Sequence, residues 1–222
     1  MTDQARIRSF YLDGPAGRLE ALLNEGNADA RYTALVCHPH PLYGGTMHNK
    51  VVFHAMKELN SFGFPVLRFN FRGVGHSAGT HDNGRGEIDD VRTGIEWLKR
   101  EFKLPVIFTG FSFGAATGLR VACPDPAVPA IISLGTPLSA EGRFYQYSHL
   151  AECTKPKLFV SGDHDQYANA EQLERVVSEL PEPKRLVIVP GDHFFAGHLH
   201  EMRVAVGSWI REVVLREAPT PV

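Results

Sequence analysis

The strongest constraint on the fold is an alternation. Six strand-length runs rich in β-branched and aromatic residues punctuate the chain: YTALVC (32–37), PVLRFNF (65–71), PVIFT (105–109), AIISL (130–134), KLFV (157–160) and RLVIV (185–189). Helical spacing fills several intervals between them. Ile88, Val91, Ile95, Leu98 and Phe102 recur every three to four residues, as do Leu173, Val176, Val177 and Leu180, and Met202, Val206, Trp209, Ile210 and Val213. Two more strand candidates flank the turn GPAG (14–17). Mostly apolar strands need cover on both faces, and strand–helix–strand connections close right-handed into parallel sheets. The expectation is the α/β class: a mostly parallel central sheet of about eight strands with helices on both sides. Ligands of such sheets gather at the carboxyl ends of the strands.

At 222 residues the chain suits one domain over 1–222, with a loose tail from about 217 where EAPTPV ends the last helical pattern. A net charge of −2 and 22% charged residues carry no basic excess, so neither nucleic acid nor an anionic membrane is expected as a partner. No apolar run reaches the roughly 18–20 residues of a membrane span. The N-terminus lacks the apolar core of a secretory signal. Cys37, Cys123 and Cys153 are scattered without CxxC spacing, so neither a disulfide nor a zinc site is expected, and a reducing cytoplasm is. A monomer or a homodimer suits the sequence equally.

GHSAG (75–79) and GFSFG (110–114) both match the G-x-S-x-G pattern of a nucleophilic serine. The pattern works only where a strand ends at the serine and a helix begins directly after it, lifting the hydroxyl above the sheet in a strained turn. Ser112 has that context, with PVIFT before it and FGAATGLRVA after it. Ser77 lies six residues beyond its strand, and the turn-forming AGTHDNGRGE follows it. Ser112 is therefore the nucleophile candidate, and Ser77 a loop residue.

A serine hydroxyl needs a base to attack at neutral pH. In this kind of fold acid and then histidine follow the serine, on loops after later strands. His193, in PGDHFF, sits four residues after RLVIV, with Phe194 and Phe195 available to exclude water. Asp163 and Asp165, in KLFVSGDHDQY, both qualify as the acid, and residue physics does not separate them.

With these residues in hand, the chain resembles the α/β-hydrolase superfamily over about residues 5–215, most of all its compact bacterial serine esterases without a cap, of dienelactone-hydrolase-like appearance. HPHPLYGGTMHNK (38–50), RFNFRGVGHS (68–77) and GDHD (162–165) support the likeness. The resemblance implies that Asp165, last in its G-x-x-D stretch, is the acid and that the RGxGxS stretch around Ser77 is structural. It also implies an oxyanion hole of two backbone N–H groups, one from Phe113 and one from the loop after the third strand. There the usual histidine-glycine opening is replaced by His38-Pro39-His40-Pro41; the prolines have no N–H, and His40 aligns best, with Leu42 or Tyr43 as alternatives. Larger relatives insert a lid after the sixth strand, whereas the interval from Pro137 to Pro156 has room for about one short helix. The implied site is open, with Leu42, Tyr43, Phe111, Phe144, Tyr145 and Tyr147 as possible walls.

The expected activity is carboxylester hydrolysis on small or short-chain acyl esters, with no cofactor and no metal. A thioesterase, a lactonase or a peptidase would use the same residues, and a non-catalytic binding module on the same scaffold is the reading from another class.

Overall fold

The computed structural model describes residues 7–140 and 142–216; the expected loose tail from 217 lies outside them. The sheet contains β1 (Ile7–Gly14), β2 (Gly17–Asn24), β3 (Thr33–Cys37), β4 (Val66–Phe69), β5 (Val106–Phe111), β6 (Ala130–Leu134), β9 (Lys157–Gly162) and β10 (Lys184–Val189). Its spatial order is β1-β2-β4-β3-β5-β6-β9-β10. β1 pairs antiparallel with β2, and β2 antiparallel with β4; every later pairing is parallel. The GPAG turn thus closes a hairpin at one edge, and the six apolar runs form the parallel body.

Alternation along each central strand explains why those runs read as continuously apolar. In β3, Leu35 and Cys37 enter one core while Ala34 and Val36 enter the other. α2 (Gly86–Phe102), α3 (Phe113–Ala122) and α4 (Ala170–Ser178) cover the first face; α1 (Lys50–Asn60) and α5 (Leu199–Trp209) cover the second. The three helical periodicities correspond to α2, α4 and α5, the last continuing as a π-helical turn over Ile210–Val214. α1 is an addition to the expectation. Asn49 caps it, its side-chain oxygen accepting the Val51 N–H at 2.9 Å, and Val51, Val52, Ala55, Met56 and Leu59 form its buried stripe.

The interval expected to hold about one short helix is built otherwise. It carries a two-stranded ribbon, β7 (Ser139–Ala140) with β8 (Arg143–Phe144), and a single 3-10 turn at Ser148–Leu150. Among the described residues no inserted lid stands between β6 and β9.

The cysteines correct the sequence expectation. Cys123, at the end of α3, is disulfide-bonded to Cys153, just before β9, with their Cα atoms 5.7 Å apart. The two are 30 residues apart, and what pairs them is the path of the chain after α3, which local spacing does not record. Cys37 is free and buried. No helix among the described residues is long and apolar enough to cross a membrane.

Candidate active site

The turn between β5 and α3 places Ser112 above the carboxyl end of the sheet. Its backbone sits at φ 55°, ψ −120°, a left-handed conformation that costs a non-glycine residue on the order of 1–3 kcal/mol. The Ser112 N–H donates to Leu134 O at 2.9 Å, tying the turn to the end of β6. Both glycines of the motif are required by close approach. A Cβ at Gly110 would stand 2.5 Å from Ala115 Cα, and one at Gly114 2.5 Å from His38 O. Strand meets helix at the first contact, and the loop after β3 presses on the helix start at the second.

His193 comes from the loop between β10 and α5 and is 1% exposed. Its Nε2 lies 2.9 Å from Ser112 Oγ, and its Nδ1 lies 2.8 Å and 3.0 Å from the two carboxylate oxygens of Asp165. A carboxylate only accepts, so Nδ1 carries the proton and the Nε2 lone pair faces the serine. Asp165 is itself held: Ser161 Oγ donates to one oxygen at 3.2 Å and the Tyr167 N–H to the other at 2.8 Å. Phe111 and Tyr167 pack against the imidazole, with ring centroids at 5.0 Å and 4.6 Å.

Asp163 points elsewhere. Its Oδ1 accepts the Gly191 N–H at 2.9 Å and lies 2.6 Å from His164 Nδ1. The His164 bond, seconded by the Gly191 N–H, holds this exposed carboxyl below the usual carboxylate range. Asp163 fastens the loop that carries His193; Asp165 meets His193 itself.

Ser77 is also accounted for. Its Oγ accepts the Glu20 N–H at 2.9 Å and donates to Asn70 O at 2.7 Å, binding the loop after β4 to β2.

The loop after β3 is shaped by a histidine that sequence reasoning assigned no role. His38 is fully buried; Nε2 accepts the Phe71 N–H at 3.0 Å, so Nδ1 is the protonated nitrogen and donates to Pro39 O at 2.7 Å. Pinning Pro39 O fixes the plane of the peptide whose other end is the His40 N–H. That N–H and the Phe113 N–H, first in α3, donate to no protein acceptor among the described residues. The His40 ring lies 4.8 Å from the Phe113 ring, and Arg143 Nη1 donates to His40 Nε2 at 2.8 Å.

Burial pushes the His38 imidazole down to about 4, against an ordinary 6.5. Folded protein then binds fewer protons than unfolded protein between those values, so stability falls as pH drops from 6.5 towards 4 and the loss levels off below. His40, lowered to about 4 by burial and then by His81 and Arg143, adds to the same window. Melting temperatures recorded against pH are expected to decline through this window in wild type and more gently in His38→Asn.

Ser112 and His193 open into a cavity of about 70 Å³. Its walls include the expected Tyr43 and Tyr145, and also Arg143, Tyr167 and Phe194. Other expected walls lie elsewhere. Phe111 is fully buried behind His193, Leu42 is 64% exposed and does not line the cavity, and Phe144 and Tyr147 line an adjoining cleft. Tyr167 could have been found two positions after Asp165; Arg143 had no signal, because two-residue strands leave no periodicity. No cluster of three metal-ligating side chains occurs among the described residues.

Comparison with known proteins agrees with this architecture. A protein of Rickettsia prowazekii is 35% identical over 209 residues, covering 90% of this chain and 87% of that one. An alpha-beta serine hydrolase homologue from Coxiella burnetii superposes with a TM-score of 0.83 at 36% identity, covering 94% and 97% of the two chains. A serine hydrolase without a lid from Xanthomonas campestris gives 0.84 at 33% identity, over 98% and 97%. The family model for the alpha/beta hydrolase domain matches residues 34–205, and with the sheet order, the strained serine turn and the absent lid it places this chain in the α/β-hydrolase family.

Proposed function

We propose that the protein is a carboxylesterase for small or short-chain acyl esters, working through an acyl-enzyme. The observation that carries this reading is the unbroken hydrogen-bonded run Asp165–His193–Ser112 at the floor of an open cavity. Ser112 Oγ attacks the ester carbonyl as His193 Nε2 takes its proton, and Asp165 stabilises the imidazolium. The oxyanion rests on the N–H groups of Phe113 and His40, each donor contributing about 3 kcal/mol of transition-state stabilisation. His193 then protonates the departing alkoxide. Water, deprotonated by the same imidazole, attacks the acyl-serine; the carboxylic acid leaves and Ser112 regains its proton.

The cavity over Ser112 is small, about 70 Å³, and suits a short acyl chain. With p-nitrophenyl acetate, butyrate and octanoate, kcat/KM is expected to be highest for acetate or butyrate and to fall for octanoate. A steady rise to octanoate would contradict the short-chain assignment, and no turnover of any of the three would contradict the esterase itself.

A further inference from the structure

Beside the catalytic cavity lies a second cleft of about 400 Å³, and the two share Arg143 and Tyr145 as a common wall. Three arginines line it: Arg85 just before α2, Arg120 in the last turn of α3, and Arg143 on β8. No acidic side chain lines it among the described residues, although the whole chain carries 25 acidic residues against 23 Lys and Arg. Several arginines elsewhere are paired, as Arg72 with Asp90, Arg92 with Asp89 and Arg185 with Glu212, whereas the three arginines of the cleft have no ion-pair partner among the described residues.

The acids nearest Arg85 in sequence are committed elsewhere. Glu87 is buried against His81 and accepts the N–H groups of Asp82 and Gly84, and Asp82 accepts the Gly86 N–H. Arg143 donates to two neutral acceptors, His40 Nε2 and, at 3.1 Å, Asn83 Oδ1. Those bonds fix its guanidinium at the junction of the chambers without neutralising it. The cleft floor is mixed, with Phe113, Ala116 and Thr117 from α3.

Three guanidinium groups without an ion-pair partner among the described residues line one concavity, and an anion bound there would be attracted by each of them. The planar fork of arginine matches phosphate or carboxylate oxygens. We infer that the cleft is a subsite for an anionic group, phosphate or carboxylate, carried by the ester substrate away from its reacting carbonyl and reaching across the Arg143–Tyr145 wall. This deepens the esterase reading and rests on it.

The test compares two ester pairs at low ionic strength: phenyl acetate with p-acetoxyphenyl phosphate, and p-nitrophenyl pentanoate with the p-nitrophenyl monoester of glutaric acid. The first pair places the charge on the leaving group, the second on the acyl chain. In one pair the anionic ester is expected to show a kcat/KM about tenfold or more above its neutral partner, a preference that shrinks as salt is added. The Arg85→Leu/Arg120→Leu double variant should lose that preference while hydrolysing the neutral esters within about twofold of wild type. Anionic esters no better than neutral ones, or a preference that survives the double substitution, would overturn the subsite and leave the esterase standing. Absence of turnover on all four esters would remove both.

Discussion

Ser112→Ala is expected to lower kcat for p-nitrophenyl butyrate by about four orders of magnitude or more, because a nucleophile that acts as a unit with its base has no substitute. The variant should fold. The bond that fixes the turn, from the residue 112 N–H to Leu134 O, is a backbone bond that alanine keeps. The left-handed φ of 55° strains serine and alanine alike. Ser77→Ala should give the opposite pair of results. Its hydroxyl satisfies Glu20 N–H and Asn70 O in a buried place, so its loss should cost on the order of 1–3 kcal/mol of stability with kcat unchanged within about twofold. Kinetics and urea melts on both variants separate a chemical serine from a structural one. A Ser77→Ala variant that folds but is dead, beside an active Ser112→Ala, would reverse the assignment.

The second large effect concerns the two aspartates. Asp165→Asn is expected to reduce kcat by about 10⁴, as amide-for-carboxylate replacement does in Ser-His-Asp triads. The reason is tautomeric. Asp165 oxygens accept from Ser161 Oγ and the Tyr167 N–H as well as from His193. An asparagine there must turn one N–H₂ group outward. If that group faces His193 Nδ1, the ring proton moves to Nε2 and the imidazole can no longer accept from Ser112. Asp163→Asn should retain activity within about threefold, since its oxygen holds the Gly191 N–H and an amide oxygen accepts equally well. Equal losses in both variants would mean that the loop as a whole, and not the Asp165–His193 contact, supports catalysis.

The contrast also shows how much was legible in the sequence. The strand runs could be read because each parallel strand buries both faces, and Ser112 could be separated from Ser77 because a strand and a helix flank only one of them. The choice between Asp163 and Asp165 was not available from residue physics. Both follow β9 within three positions, and what divides them is the direction of each side chain, one towards the Gly191 amide and one towards His193. The loop after β3 was opaque for a related reason. Its geometry depends on His38 bonding forward to Pro39 O and across to Phe71 N–H, 33 residues away, and no local pattern announces such a bond. Phe111 read as a cavity wall because it adjoins the serine, yet as the last residue of β5 it points into the core. Its pleat position, more than its distance along the chain, sets its exposure. The Cys123–Cys153 bond and the arginine-lined cleft both arise where α3 meets the β6–β9 connection, a meeting fixed only by tertiary packing.

Labelling with a fluorophosphonate followed by peptide mass spectrometry tests the central claim most directly, because the reagent reacts with a serine only when a base activates it. One adduct per chain on Ser112, absent from His193→Ala, is the predicted result. An adduct on Ser77, or labelling of Ser112 that persists without His193, would contradict the assignment of Ser112 and His193 as nucleophile and base.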